Sequence, residues 1–155
     1  MDQPTNLNLF SPNKFLITIP LFPTVQFFAQ DCEIPAVSIG KVKMSTNKNL
    51  GFPDVGDKLD FEDLTVNFIL DEDMAGPKEI YQWMWDATDR NRKDFNPFQD
   101  MTITALTNNS NANFRVTYKH CVPYSISRVD MSTKRSEDQP NLMTVQFAYS
   151  SFKIG

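Results

Sequence analysis

Few side chains in this 155-residue sequence are of the types that carry out chemistry. Its one histidine, His120, directly precedes Cys121, one of two cysteines. A cysteine and a histidine can serve as nucleophile and base, provided that their side chains converge. Here they sit in a stretch where Phe114, Val116, Tyr118, His120 and Val122 alternate with Arg115, Thr117 and Lys119, the pattern of a half-buried strand. Neighbours on a strand point to opposite faces, so His120 and Cys121 diverge. His120 falls on the apolar phase and reads as a hydrogen-bonded core residue. Asp71, Glu72 and Asp73 offer oxygen ligands for a hard cation, but the rest of a calcium-loop pattern is missing, and they read as a solvated turn. Asn108-Asn109-Ser110 matches a glycosylation acceptor and, without a secretion signal, reads as a polar turn. The sequence has no glycine-rich phosphate loop, zinc-ligand spacing or Gly-x-Ser-x-Gly elbow. The expectation is a chain that is not an enzyme, with no catalytic, cofactor-binding or metal residues. Cys32 and Cys121 read as free thiols of a reducing compartment; whether they meet stays open.

The elements that must position these residues are mostly strands. Residues 1–12, rich in Asn and Pro, read as a flexible N-terminal arm. Phe15, Ile17 and Ile19 share one face of a first strand. Residues 25–34 form a second candidate, ended by Pro35, which cannot donate to a ladder. Residues 37–44 form a third. Residues 47–57 read as an extended loop with two Gly, a Pro and two Asp, and the apolar Leu50 and Phe52 among them suggest a loop that docks on something. In residues 59–70, Leu64, Val66, Phe68 and Leu70 alternate cleanly. Leu59 and Phe61 fall on the opposite phase, which predicts a bulge or bend near Glu62 and Asp63.

One helix is marked, with Pro77 at its first position and Glu79 in its first turn. Ile80, Trp83, Met84 and Ala87 form a stripe, and Tyr81 and Trp85 a second ridge, so the helix is expected to be buried on more than one side. The remainder is strands: residues 102–106, 114–122, 124–131 beyond a turn at Val122-Pro123, and a last one carrying Met143, Val145, Phe147 and Tyr149. The tally is about seven to eight strands and one helix without βαβ alternation, a mainly β antiparallel sandwich or barrel read as a single domain over 1–155.

Composition agrees. Thirteen Phe, ten Pro against five Gly, and 41% hydrophobic residues suit pleated, half-buried surfaces. The net charge of −4 argues against a surface built to grip phosphates, which needs clustered Lys and Arg. No apolar run approaches the roughly 20 residues of a membrane span, and the opening residues lack the basic start and apolar core of a secretion signal.

The order of these signals resembles the tail tube protein family of contractile-tailed bacteriophages. PNKFLITI (Pro12 to Ile19) is similar to the family's opening strand, and CEIPAVSIG (Cys32 to Gly40) to its Leu-Pro-Gly-Ile segment. The most specific match is GDKLDFEDLTVNFILDEDMAGPKEIYQWM (Gly56 to Met84), which resembles the family's Gly-Asp-Arg-x-Phe, acidic pair, Thr-Val-x-apolar and helix ending in an aromatic and Trp. Lys58 replaces the family's Arg, Leu64 its Trp, and Ala36 its Gly.

The resemblance implies a structural virion protein whose hexameric rings join edge to edge and stack into the inner tube of a contractile tail, the channel for DNA ejection. It also allows a ring at a tube end, either a baseplate initiator or a neck terminator. A monomeric ligand-binding β-barrel is the competing class. Expected partners are further copies of the chain, a tail sheath protein and baseplate and neck proteins, with DNA passing a polar or acidic lumen without specific binding, and no membrane. The expected location is the virion tail, after assembly in the host cytoplasm. By analogy Leu50, Phe52, Pro53 and Asp54 make inter-subunit contacts.

Overall fold

The computed structural model describes residues 13–45, 51–107, 109, 111–134 and 139–155. The expected N-terminal arm and Leu50 lie outside them. Nine strands and one α-helix run in the order β1 (Phe15–Thr18), β2 (Ala29–Cys32), β3 (Val37–Met44), β4 (Phe52–Phe61), β5 (Leu64–Ile69), α1 (Ala75–Thr88), β6 (Gln99–Leu106), β7 (Ala112–Ile126), β8 (Leu142–Ala148) and β9 (Ser151–Ile154). Seven strands form one folded antiparallel sheet in the order β1-β6-β7-β8-β5-β2, with β9 also on β7; β3 and β4 form a separate two-stranded sheet. The mainly β, antiparallel architecture is as expected.

The large sheet has two halves because β7 serves both. Its first ten residues pair with β6, and Val116–Lys119 pair with β9 on the other side. Val122–Ile126 then pair with β8. The switch requires extra residues in β7. Between Gln99↔Cys121 and Met101↔Tyr118, β7 has one residue more than β6, and His120 there adopts a left-handed φ of 55°. This is a β-bulge, which bends a strand and resets its inward phase. The buried set accordingly changes from Val116 and Tyr118 to Cys121 and Pro123. A second irregularity, between Pro123 and Ser125, turns Tyr124 outward.

His120 is therefore exposed rather than in the core, and its Nδ1 lies 3.2 Å from Ser150 Oγ. Val122-Pro123 is not a turn but the middle of β7, and residues 124–126 belong to the same strand.

The core between the halves holds Ile17, Leu64, Val66, Phe68, Met101, Ile103, Val116, Tyr118, Met143, Val145 and Phe147. The alternation of β5 and β8 is borne out, with Leu64↔Phe147, Val66↔Val145 and Phe68↔Met143 paired. Residues 25–34 depart from expectation: Val25–Phe28 form a 3-10 turn and only Ala29–Cys32 join the sheet. The predicted bend at Glu62–Asp63 is a full break, separating β4 and β5 into different sheets.

Helix α1 closes the core. It begins at Ala75, two residues before Pro77, with Met74 as a left-handed cap and Asp71 Oδ1 accepting the Ala75 N–H at 3.0 Å. Proline is tolerated there because the first-turn amides have no intrahelical acceptor. Trp83 is fully buried, stacks on Phe22 at 4.9 Å, meets Phe147 at 6.1 Å and donates from Nε1 to Pro97 O at 2.8 Å. The expected second ridge is not covered: Tyr81 and Trp85 are 60% and 61% exposed.

Trp83→Ala is expected to destabilise the chain by about 3–5 kcal/mol. Tyr118 is buried with its hydroxyl unpartnered, so Tyr118→Phe is expected to leave the thermal midpoint unchanged or raise it. Thermal unfolding followed by circular dichroism checks both. A midpoint lowered by several degrees in Tyr118→Phe would contradict the second.

Candidate assembly surface

Between Pro35, which is buried, and the break at Glu62, none of the described residues is buried. Every residue of β3 is exposed, and in β4 only Gly56 and Phe61 are half-buried. The two strands pair only with each other, through Val37↔Phe61, Ile39↔Leu59, Lys41↔Val55, Val42↔Asp54, Lys43↔Pro53 and Met44↔Phe52. Residues 47–57, expected as an extended loop, are thus partly strand: β4 starts at Phe52.

The sequence permits this because β3 and β4 are rich in β-formers, and Phe61, Leu59 and Phe52 face Val37, Ile39 and Met44 across the ladder. Between Ile39↔Leu59 and Lys41↔Val55 the register shifts, and here the backbones of Gly40 and Gly56 meet. A Cβ on Gly56 would lie 2.6 Å from Gly40 O, whereas one on Gly40 would meet nothing within 4 Å. Gly56 is therefore required where the arm's strands cross most closely.

Of the residues expected to make contacts, Phe52 is 67% exposed opposite Met44, Pro53 faces Lys43, and Asp54 accepts the Val55 N–H at 2.8 Å. The reading missed Val55, at 70% exposed the most open apolar side chain of the arm, and with it Val42, Ile39 and Leu59. Their signal was present. Leu59 and Phe61 run out of phase with Leu64–Leu70, because they belong to a strand that does not enter the core. Exposed apolar side chains in this number on a two-stranded sheet mark a contact site.

The base of the arm is fixed to the body. Phe61 packs edge-on against Tyr149 at 6.1 Å and Phe152 at 5.5 Å, Tyr149 donates to Glu62 O, and Glu62 N donates to Ala36 O.

The nucleophilic groups are held inert. Burial pushes the Cys121 thiol up to about 12, and burial followed by the neighbouring Asp31 pushes the Cys32 thiol up to about 11. Both cysteines are free, and no cluster of potential metal ligands occurs among the described residues. Asp71–Asp73 lead into the helix as expected, with Asp71 accepting the Ala75 N–H of its first turn.

A family profile described as phage tail tube protein matches residues 21–155. No curated protein matches the chain by sequence. Among solved structures, the chain is similar to one from the extended sheath–tube complex of the extracellular contractile injection system PVC, with a TM-score of 0.72 at 9% identity over 96% of this chain and 93% of that one. It is similar to a chain of the tube-terminating cap of the anti-feeding prophage, with 0.73 at 11% over 99% and 95%. Hcp1 from Salmonella typhimurium follows with 0.53 at 10% over 90% and 83%. At these identities the likeness is one of fold.

Gly56→Ala is expected to splay the arm and abolish self-assembly while the body melts as before. Gly40→Ala is expected to assemble normally, and light scattering beside thermal unfolding distinguishes the two. The thiols make a second prediction. Each holds its proton more tightly folded than at its ordinary value of 9.0. Between that value and about 11–12 the folded chain binds more protons than the unfolded one, so stability is full below about pH 9 and falls above it. Urea midpoints at about pH 8 and about pH 10.5 should show the fall, and Cys121→Ala should reduce it.

Proposed function

This chain belongs to the phage tail tube protein family, and on that premise we propose that it is a structural subunit whose copies close into hexameric rings that stack into the inner tube of a contractile tail. The observation that carries the reading is the β3–β4 arm. A two-stranded sheet alone in water is marginal, and beyond its root at Phe61 the described residues of this one expose apolar side chains along its length. A neighbouring copy supplies their cover, with Phe52, Pro53 and Asp54 among the contacts, and with Leu50, outside the described residues, expected to join them.

The sheet edges support the same reading. Within the described residues β9 pairs only with β7 and β1 only with β6, so both edges of that half are open. Open edges invite pairing, and closing a ring removes them. The tube would carry DNA at ejection, lie within a sheath and meet baseplate and neck rings, as part of a virion rather than as an enzyme. A second reading, a ring at one end of the tube, is favoured by Lys58, Leu64 and Ala36, which depart from the family pattern.

Negative-stain electron microscopy across concentration, with size-exclusion chromatography beside it, tests both. Hollow tubes or six-fold rings that stack are expected, and Val55→Asp is expected to prevent stacking without unfolding the body. Rings that never stack favour the tube-end reading. A monomer that also fails to extend a supplied baseplate overturns both.

A further inference from the structure

The charges of the body are sorted between its two outer faces. In the half built from β1, β6, β7 and β9, the inward residues are the core set Ile17, Met101, Ile103, Val116 and Tyr118. The alternate positions point out, and there the ladders align Thr18, Thr102, Thr117 and Lys153 in one row across all four strands. The next row carries Leu16, Thr104 and Arg115. Lys14 and Lys119 share the phase, and among the described residues the only carboxylate at these outward positions is Asp100. Four cations against one carboxylate give this face a net charge of +3, in a chain whose total is −4.

Asp100 is already committed. It pairs with Lys119 Nζ and accepts the His120 N–H. Arg115 and Lys153 form no ion pair among the described residues, and their positions, diagonal across the β7–β9 ladder, place them side by side on the exposed face. The outer face of the other half is the reverse. Asp31 accepts from Asn67, Thr144 donates to Asn67, and Tyr124 donates to Asp63 and Gln146, with no Lys or Arg on its strands.

We infer that the outward face of the β1–β6–β7–β9 half contacts the phosphate backbone of nucleic acid without regard to sequence. Cations supply the attraction and the half-buried Thr18, Thr102 and Thr117 supply neutral hydroxyl donors to phosphate oxygens, while Thr104 is buried beneath them. Within the four strands no aromatic side chain takes an outward position, and the exposed Phe98 just before β6 sits edge-on to His120 at 6.1 Å, so bases have no row of rings to stack on and no sequence is read. The inference rests on the tube reading for the presence of nucleic acid.

The test uses the full unassembled chain and a short fluorescent DNA duplex, with anisotropy read across a salt series. Binding is expected at low salt, with affinity falling steeply as salt rises. Arg115→Gln with Lys153→Gln is expected to weaken it at least tenfold and to flatten the log–log salt slope by about two. Lys41→Gln with Lys43→Gln, two cations removed from the arm, is expected to change nothing. Absence of wild-type binding at low salt, or equal loss in both variants, overturns the inference. Rings seen without duplex binding would remove this inference alone. Duplex binding by a chain that neither forms rings nor extends a baseplate would remove the tube reading instead.

Discussion

One strand has to satisfy two sheets, and the rest of the body follows from how it does so. β7 runs 15 residues, longer than any other strand among those described, and no flat strand of that length could face one core throughout. The additional residue at His120 turns its inward set from Val116 and Tyr118 to Cys121 and Pro123, so both halves of the sheet look into the same interior. β6 and β9 then flank its first part and β8 continues from its second. Helix α1 seals what this fold leaves open, through one side chain more than any other: Trp83, held by Phe22, Phe147 and the Pro97 carbonyl.

Much of this was legible in the sequence, for a definite reason. Where a strand is regular and one face is buried, period two is written directly into residue types, as in Leu64–Val66–Phe68 and Met143–Val145–Phe147. The sequence failed where a single residue broke the period. Nothing in Lys119-His120-Cys121 announces a left-handed backbone, so the alternation was carried straight through and His120 was placed inside. Pro123 misled in the opposite way. Proline ends most strands, but Pro123 sits at an irregularity of the ladder, where a missing donor is tolerated, and the strand continues. The 3-10 turn at Val25 was hidden because a buried valine suits a strand equally well.

The assembly surface was half legible. Phe52, Pro53 and Asp54, exposed and proposed as contacts, stood out because an apolar residue beside Gly and Pro is conspicuous. Val55, Val42 and Ile39 were passed over because a run of β-formers ordinarily means core. What distinguishes them is three-dimensional: β3 and β4 pair with each other and with no third strand. Sequence alone cannot separate an apolar strand that folds inward from one that waits outside. The same limit applies to charge. A total of −4 conceals a face that is positive, because only the ladder register reveals which alternate residues line up.

The anchoring of the arm has a mechanical consequence. Phe61 is wedged against Tyr149 and Phe152, the Glu62 carbonyl takes the Tyr149 hydroxyl, and the Ala36 carbonyl takes the Glu62 amide. The root is clamped at both strands, so the arm is a cantilever rather than a tether. Its direction is set by the body, and a pull at its tip is delivered through the aromatic clamp into β9 and β7 instead of being absorbed by a hinge. In any stacked array of such subunits, axial tension and torque would run from copy to copy through the sheets themselves.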